Sequence, residues 1–488
     1  GFCMVGSLSG EVRESKERVQ VALKNVGLNL PPTHITVNLS PADKRKEGTA
    51  FDLPIAVGML QAMEYFTKKA TRKILFLGEL GLDGEIKGVR GVLPIVREAA
   101  ERGIEQCIVP EANAMEAAVI PGISVRGVRH IRQLMDFLIY CDSAEDGRKE
   151  EALDKLLPRV MVDREQLSEE SYDYPYDFAQ VNGQTVAKRA AEIAAAGFHN
   201  LLMIGPPGAG KSMIAKRIPG ILPPLTPKES LEVTSIMSVA GLLGNKPLIT
   251  KRPFQNPHHT ISPAAFIGGG NSPKPGVISL AHRGVLFLDE LPEFQRNIID
   301  SMRQPLEERK VQVARNYKTV SYPADFMLVC AMNPCPCGYY PNPNKCTCSR
   351  TQVQRYAGKV SGPILDRIDL CVELQSVELK DLSRSSQIES SRTIRERVLQ
   401  ARKLQEKRFA GSNKRFNAEM DAEDVKAFCI LGDKEQTCAE ELYHTMQLSV
   451  RAYHRLLKVA RTIADLAEQE HIGVEHLMEA ACFRTLQG

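Results

Sequence analysis

The chain reads as an α/β protein: a phosphate-loop core with a helical C-terminal region, preceded by a smaller α+β domain. Three observations predict this. A glycine-rich run, Gly205-Pro206-Pro207-Gly208-Ala209-Gly210-Lys211-Ser212, follows the apolar stretch 201–204 and leads into a helical pattern over 213–218. A second apolar stretch, 285–288, ends in Asp289-Glu290. Before residue 142, short apolar strands alternate with amphipathic helices.

Length and composition set the frame. A chain of 488 residues suggests about two to four domains. With 43% hydrophobic and 25% charged residues it is expected to be soluble and globular. A net charge of +4 is too small to point to nucleic acid or a membrane. The twelve cysteines are not needed as disulfide staples at this size, so a reducing cytoplasm is expected. There is no long apolar run and no signal peptide, so no membrane partner is expected. The chain opens on Gly1-Phe2 rather than methionine. That is read as a fragment boundary and leaves a targeting segment open.

Residues 1–141 form the first predicted domain. Ser15 to Val26 is helical, with Val19, Leu23 and Val26 on one face and Gly27 as C-cap. Ile35, Val37 and Leu39 alternate as a half-buried strand. Asp52 is expected to cap a helix carrying Pro54 in its first turn. An apolar strand follows at 74–77, then a hairpin turning at Asp83-Gly84. A helix at 93–102 and a strand at 106–109 complete the pattern. This order, with Gly78-Glu79-Leu80-Gly81-Leu82-Asp83-Gly84-Glu85-Ile86, resembles the Lon protease-like (S5-like) domain. Lon-type proteases use a serine nucleophile and a lysine base. Alignment on 48–53 puts Ala50 at the serine position, and alignment back from Arg102-Gly103-Ile104 puts Leu93 near the lysine's. Neither can do nucleophilic chemistry. The expectation is a non-proteolytic relative that serves assembly or partner binding, with the family's first strands missing before Gly1.

Residues 142–177 hold twelve Asp/Glu and five Lys/Arg, an acidic linker partly helical over 149–157. From Phe178 to 383 runs the predicted ATPase core. Gly183-Gln184 precedes a helix of small residues, 185–196. Val181, Gly183 and Gln184 are candidates to touch an adenine, with plain helix capping as the alternative.

The phosphate loop needs those residue types. Glycines let successive backbone N–H groups face a polyphosphate, and the following helix adds donors and partial positive charge. Gly205 through Ser212, with Met213 behind them, would wrap ATP. Lys211 would reach the β- and γ-phosphates, and Ser212 would ligate Mg²⁺. Asp289 is the second Mg²⁺ candidate, and Glu290 the residue to polarise the attacking water. A third strand, 326–331, leads to Asn333, which would orient that water or simply cap a loop. Arg367, in Ser361-Gly362-Pro363-Ile364-Leu365-Asp366-Arg367-Ile368-Asp369, is the candidate finger for a neighbouring subunit, against an internal pair with Asp369. Ser449 caps a helix whose first turn carries Arg451, a candidate second sensor on a helical lid, against a plain surface arginine.

These parts together resemble an AAA+ ATPase of the magnesium-chelatase-like branch. Longer stretches are similar to the YifB/ComM family: 256–262 (Asn-Pro-His-His-Thr-Ile-Ser), 267–270, 279–290, 331–338 (Ala-Met-Asn-Pro-Cys-Pro-Cys-Gly) and 461–466. The resemblance implies a Lon-like domain, an AAA+ core, a helical C-terminal domain over 384–488, a hexameric ring and ATP-driven helicase action on DNA in natural transformation. The rivals are a protein or cofactor remodeller like a magnesium-chelatase subunit, an ATP-dependent protease, and a DNA-binding regulator without turnover. The missing serine–lysine pair opposes the protease. Intact Lys211, Asp289 and Glu290 oppose the regulator.

Cys335-x-Cys337 and Cys346-x-Cys348 form a four-thiolate constellation. Zn²⁺ is its leading reading, with free thiols or a redox pair as alternatives. Residues 384–415 carry ten Lys/Arg against three Asp/Glu. Such a helix serves as a solvated face or contacts phosphates. Two inserts, 251–274 and a hairpin at 311–321 with Arg315-Asn316-Tyr317-Lys318 at its tip, are candidates to line a pore and touch nucleic acid. His258-His259 is expected to lie on a strand, with the two rings on opposite faces, and to serve hydrogen bonding or nucleic-acid contact rather than metal.

Overall fold

The structure is a computed structural model; it describes residues 2–28, 30, 34–143, 149–163, 174–244, 246–270, 273–315, 318–375 and 389–484. The chain divides into two compact units, Gly1–Glu169 with Ser230–Ile249, and Glu170–Glu229 with Thr250–Gly488.

In the first unit a three-stranded parallel sheet orders Ile74–Phe76, Gln106–Pro110 and Ser124–Val128 side by side. Phe2–Val5 pairs in parallel with Ile35–Asn38. The helix expected at 15–26 runs from Gly10 to Asn25, and the hairpin pairs Glu79–Leu80 with Ile86–Lys87. Asp52 is not the cap it was expected to be. Phe51 holds that position without a side-chain bond. Instead the Asp52 carboxylate is fully buried, accepting from Ser15 Oγ, Arg18 Nε (2.7 Å) and Leu80 N (3.1 Å). Ala50 packs against the apolar cluster that contains Leu93. Ser230–Ile249, within the stretch read as ATPase core, belongs to this unit. Leu231 and Leu248 pack on the same cluster, and Ser238 Oγ donates to Glu116.

The second unit is built on a five-stranded, all-parallel sheet. We number its strands β1 (Leu201–Ile204), β2 (Phe254–Gln255), β3 (Val285–Leu288), β4 (Met327–Met332) and β5 (Leu370–Glu373). Their order across the sheet is β5-β1-β4-β3-β2. β1, β3 and β4 are buried almost throughout, which explains their unbroken apolar runs. Helix α1 (Thr185–Gly197) packs against β5 on one side and helices α2 (Ser391–Arg408) and α3 (Val450–Leu466) on the other. Burial on nearly every face, between closely approaching neighbours, accounts for its run of alanines.

The helical C-terminal part is fastened by buried polar bonds as well as apolar contact. Gln405 Nε2 donates to Ala196 O (3.1 Å), and His199 Nε2 hydrogen-bonds Thr462 Oγ1 (2.8 Å). Fully buried Asp465 accepts from Arg408 (2.6 and 2.7 Å), Arg461 (3.0 Å) and Asn417 (2.8 Å). The Arg461-Thr462-x-x-Asp465 stretch of the sequence is thus a packing motif. Among the described residues, no helix is long and apolar enough to cross a membrane.

Asp465→Ala would leave two mostly buried guanidinium groups without their carboxylate. Removing one partner of such a buried pair costs about 3–5 kcal/mol. Urea unfolding followed by circular dichroism should show the loss; an unchanged midpoint would contradict this account of the lid.

Candidate nucleotide site

Sheet register brings the expected residues together. Ile204 at the end of β1 pairs with Met332 on β4 and with Glu373 on β5, while Leu288 on β3 pairs with Cys330. The phosphate loop, Asp289-Glu290 and Asn333 therefore emerge at one carboxyl edge of the sheet, the edge where parallel α/β sheets bind ligands. Gly208 and Gly210 take φ of +78° and +91°, values that a side chain strains to adopt.

Lys211 is 9% exposed. Its Nζ donates to Gly205 O (2.5 Å), Pro206 O (3.0 Å) and Asn333 Oδ1 (3.0 Å). Burial lowers its pKa, and the charges of Asp289 and Glu290 oppose that shift. Ser212 Oγ donates to Asp289 Oδ2 at 2.6 Å. Two hard oxygen donors so close can occupy adjacent positions around Mg²⁺, so the residues fit that ion. Gln184 Nε2 donates to Ala209 O (3.1 Å) and Gln375 O (2.7 Å), bracing the loop, while Val181 is buried in the core and Met213 is exposed.

Glu290 is exposed and sits at φ +52°. Its Oε2 lies 3.4 Å from His259 Nδ1. The histidine pair departs from expectation. β2 ends at Gln255, so His258 and His259 lie in the loop beyond it, and their rings sit 4.1 Å apart rather than on opposite faces.

A cavity of about 400 Å³ is lined by Glu290, Glu293, Asn333, Pro336, Arg355 and Tyr356, among others. Burial and the charge of Glu293 push the Tyr356 phenol up to about 12, so it stays protonated, with the Asn333 backbone N–H opposing that shift. Arg355, Tyr356 and nearby Lys359 were missed from sequence. The available signal was the Gln352-x-x-Arg355-Tyr356-x-x-Lys359 face of a helix directly after Cys348.

Arg367 and Arg451 lie elsewhere. Both line a second cavity of about 320 Å³, with Arg309, Arg455 and Lys458, whose lining includes neither Lys211 nor Asp289. Arg367 pairs with Glu307 and not with Asp369, which instead faces His199 (3.6 Å) and accepts from Asn200 N (3.0 Å). Burial lowers the pKa of Arg455 and Lys458.

The four expected cysteine sulfurs lie within 4.8 Å of one another. Cys335 Sγ is 3.3 Å from Cys337 Sγ and 3.8 Å from Cys346 Sγ, and Cys337 to Cys346 is 3.6 Å. A tetrahedral ZnS₄ centre with bonds near 2.3 Å has sulfur–sulfur edges of about 3.8 Å, so the cluster has that size. The backbone N–H groups of Tyr339 and Thr347 hold Cys337 down to about 6, and Tyr340 N donates to Cys335 Sγ (3.4 Å).

The inserts are tied to each other. Strands Lys310–Arg315 and Lys318–Pro323 pair as a hairpin, and Tyr322 Oη donates to Pro273 O (2.7 Å). Asn316 and Tyr317 of the expected tip, and the side chains of Arg315 and Lys318, lie outside the described residues.

Residues 177–382 match the family described as magnesium chelatase, subunit ChlI; residues 1–113 match the ChlI subunit description and 388–484 its C-terminal family. The chain is 40% identical to competence protein ComM of Haemophilus influenzae over 487 residues, covering 100% of this chain and 92% of that one. It is 41% identical to the uncharacterized protein YifB of Escherichia coli over 488 residues, with coverage of 100% and 92%. A stretch of 88 residues, 18% of this chain and 19% of the other, is 38% identical to DNA repair protein RadA of Streptococcus pyogenes.

Asn333→Ala would remove the Oδ1 that accepts from Lys211. Loss of one preorganised polar group at a reacting centre lowers turnover on the order of 10²-fold. Steady-state ATPase assays should show that fall in kcat with little change in KM for ATP; an unaltered kcat would remove Asn333 from the site.

Proposed function

The chain belongs to the YifB/ComM family of magnesium-chelatase-like AAA+ ATPases, and from that premise we propose that it is a cytoplasmic ring motor, a homohexamer, that hydrolyses ATP to move DNA strands. The observation that carries the ATPase half is the meeting of Lys211, Ser212, Asp289, Glu290 and Asn333 at one sheet edge. Lys211 and the loop N–H groups bind and orient the phosphates, with Gln184 bracing the loop. Ser212 and Asp289 would hold Mg²⁺, which supplies charge neutralisation on the β- and γ-phosphates. Glu290 takes up the proton of the attacking water, and Asn333 aligns that water.

Arg367 and Arg451 share a cavity apart from the phosphate loop. That supports their acting on the nucleotide of a neighbouring subunit, which is why a ring is proposed. The names of two relatives, one a competence protein and one a DNA repair protein, support DNA as the substrate. Within the chain, the paired inserts joined by Tyr322 and Pro273 support it as a pore lining. The first unit, with Ala50 and Leu93 at the positions a protease would need for catalysis, serves assembly or partner binding. We read the four-thiolate cluster as a structural Zn²⁺ site.

ATPase rate measured with and without single-stranded or branched DNA, together with displacement of a labelled strand, tests the motor. DNA should raise the rate, and labelled strand should be released. An ATPase indifferent to DNA and unable to displace a strand would leave the magnesium-chelatase-like remodeller as the reading. In the same assay Glu290→Gln should bind ATP and lose about 10²–10⁴-fold in turnover, the range for a general base; undiminished turnover would strip Glu290 of that role.

A further inference from the structure

The four-cysteine loop does more than end beside the sheet. Asn333, which accepts from Lys211 Nζ, stands two residues before Cys335. Gly338 N donates to Cys335 O (3.0 Å) in a turn at φ +87°. A Cβ added at Gly338 would sit 2.6 Å from Pro207 Cδ, so the turn lies directly against the phosphate loop. On its far side, Cys348 leads into Ser349. The Ser349 Oγ accepts from Gln352 N (3.3 Å), and its N–H donates to Gln352 Oε1 (2.8 Å). This closes the start of helix Arg350–Ala357, which supplies Gln352, Arg355 and Tyr356 to the cavity shared by Glu290 and Asn333. One knot of four sulfurs therefore connects to three walls of the site: the phosphate loop through Gly338, the residue facing Lys211 through Asn333, and the helix that carries Tyr356.

We propose that a thiophilic divalent metal bound by Cys335, Cys337, Cys346 and Cys348 is a positioning element of the ATPase site, coupled to the phosphate loop through the Gly338–Pro207 contact and to Lys211 through Asn333. The inference rests on the zinc reading of the cluster. The physical reason is the loop's composition. Residues 335–348 include three prolines and one glycine, and Cys335 alone among the four thiols is buried. Such a loop has little apolar area with which to fix itself, so a metal with four ligands would supply the rigidity. Misplacement of reacting groups by about 1 Å costs on the order of 10²-fold in rate, so a slack loop lowers turnover while the rest of the phosphate loop still binds nucleotide.

The test uses the full chain. Elemental analysis of the purified protein should give about one Zn per chain. Stripping with a mercurial, followed by a chelator and excess dithiol, should lower kcat by on the order of tenfold or more, with KM for ATP nearly kept, and added Zn²⁺ should restore it. Gly338→Ala retains all four thiolates, so it should keep its metal yet lose kcat similarly. Pro207→Ala should relieve the steric part of that loss but not the strain of a side chain at φ +87°. Metal-bearing protein whose kcat survives stripping overturns this inference and leaves the zinc reading standing. Protein that never carries metal overturns the zinc reading, and the inference with it. If stripping unfolds the chain, metal-loaded Gly338→Ala decides: normal kcat in that variant overturns the coupling.

Discussion

A lysine ammonium that is 9% exposed must be surrounded by acceptors. Around Lys211 these are two carbonyls of its own loop and the side chain of Asn333, which comes from 122 residues further along the chain. Everything else in the second unit can be seen as a way of meeting that requirement. Placing Asn333 beside the loop needs β4 next to β1, and a parallel register in which Met332 meets Ile204. Placing Asp289 within reach of Ser212 needs β3 on the other side of β4. The sheet order is thus the geometric answer to a charge that needs partners from three strands. Because burial lowers the Lys211 pKa and nearby carboxylates oppose the shift, the site balances desolvation against field rather than removing either.

The same balance governs the lid. Asp465 is fully buried and stays there because two arginines and an asparagine meet it. Glu229 and Asp325 are handled alike, with Arg415 reaching both and Arg252 facing Glu229. Such pairs add little net stability against an apolar replacement, yet losing one partner is costly because it leaves a buried charge uncompensated.

Features with a local cause were legible in the sequence. The phosphate loop, the strands before and after it, and Asp289-Glu290 follow from residue type and spacing, and each lies in the expected place relative to the sheet. The cysteine cluster followed from spacing alone. What failed depended on tertiary neighbours. Asp52 has the chemistry of a cap, but Ser15, Arg18 and Leu80, all distant in sequence, claim its carboxylate. His258-His259 were expected on a strand, but β2 ends at Gln255 and they lie in the loop beyond it. The pairing of Arg367 with Glu307 rather than Asp369 follows from His199 and Asn200 having already engaged Asp369, which a linear reading cannot reveal.

The arginine-lined cavity gives the most direct argument about how one chain could use its neighbours. Arg309, Arg367, Arg451, Arg455 and Lys458 converge there. Glu307, Asp325, Asp366, Asp369, Glu419 and Asp421 also line it, and several pair with these cations: Glu307 with Arg367, Glu419 with Arg309 and Asp366 with Arg455. Burial pushes Arg455 and Lys458 toward the neutral form, and the charge of Asp369 opposes that shift at both. Lys211, Ser212 and Asp289, which we propose hold the chain's own phosphates, do not line it. In the proposed ring, one chain would contribute the loop and the next its arginines, and hydrolysis would then report on the contact between them.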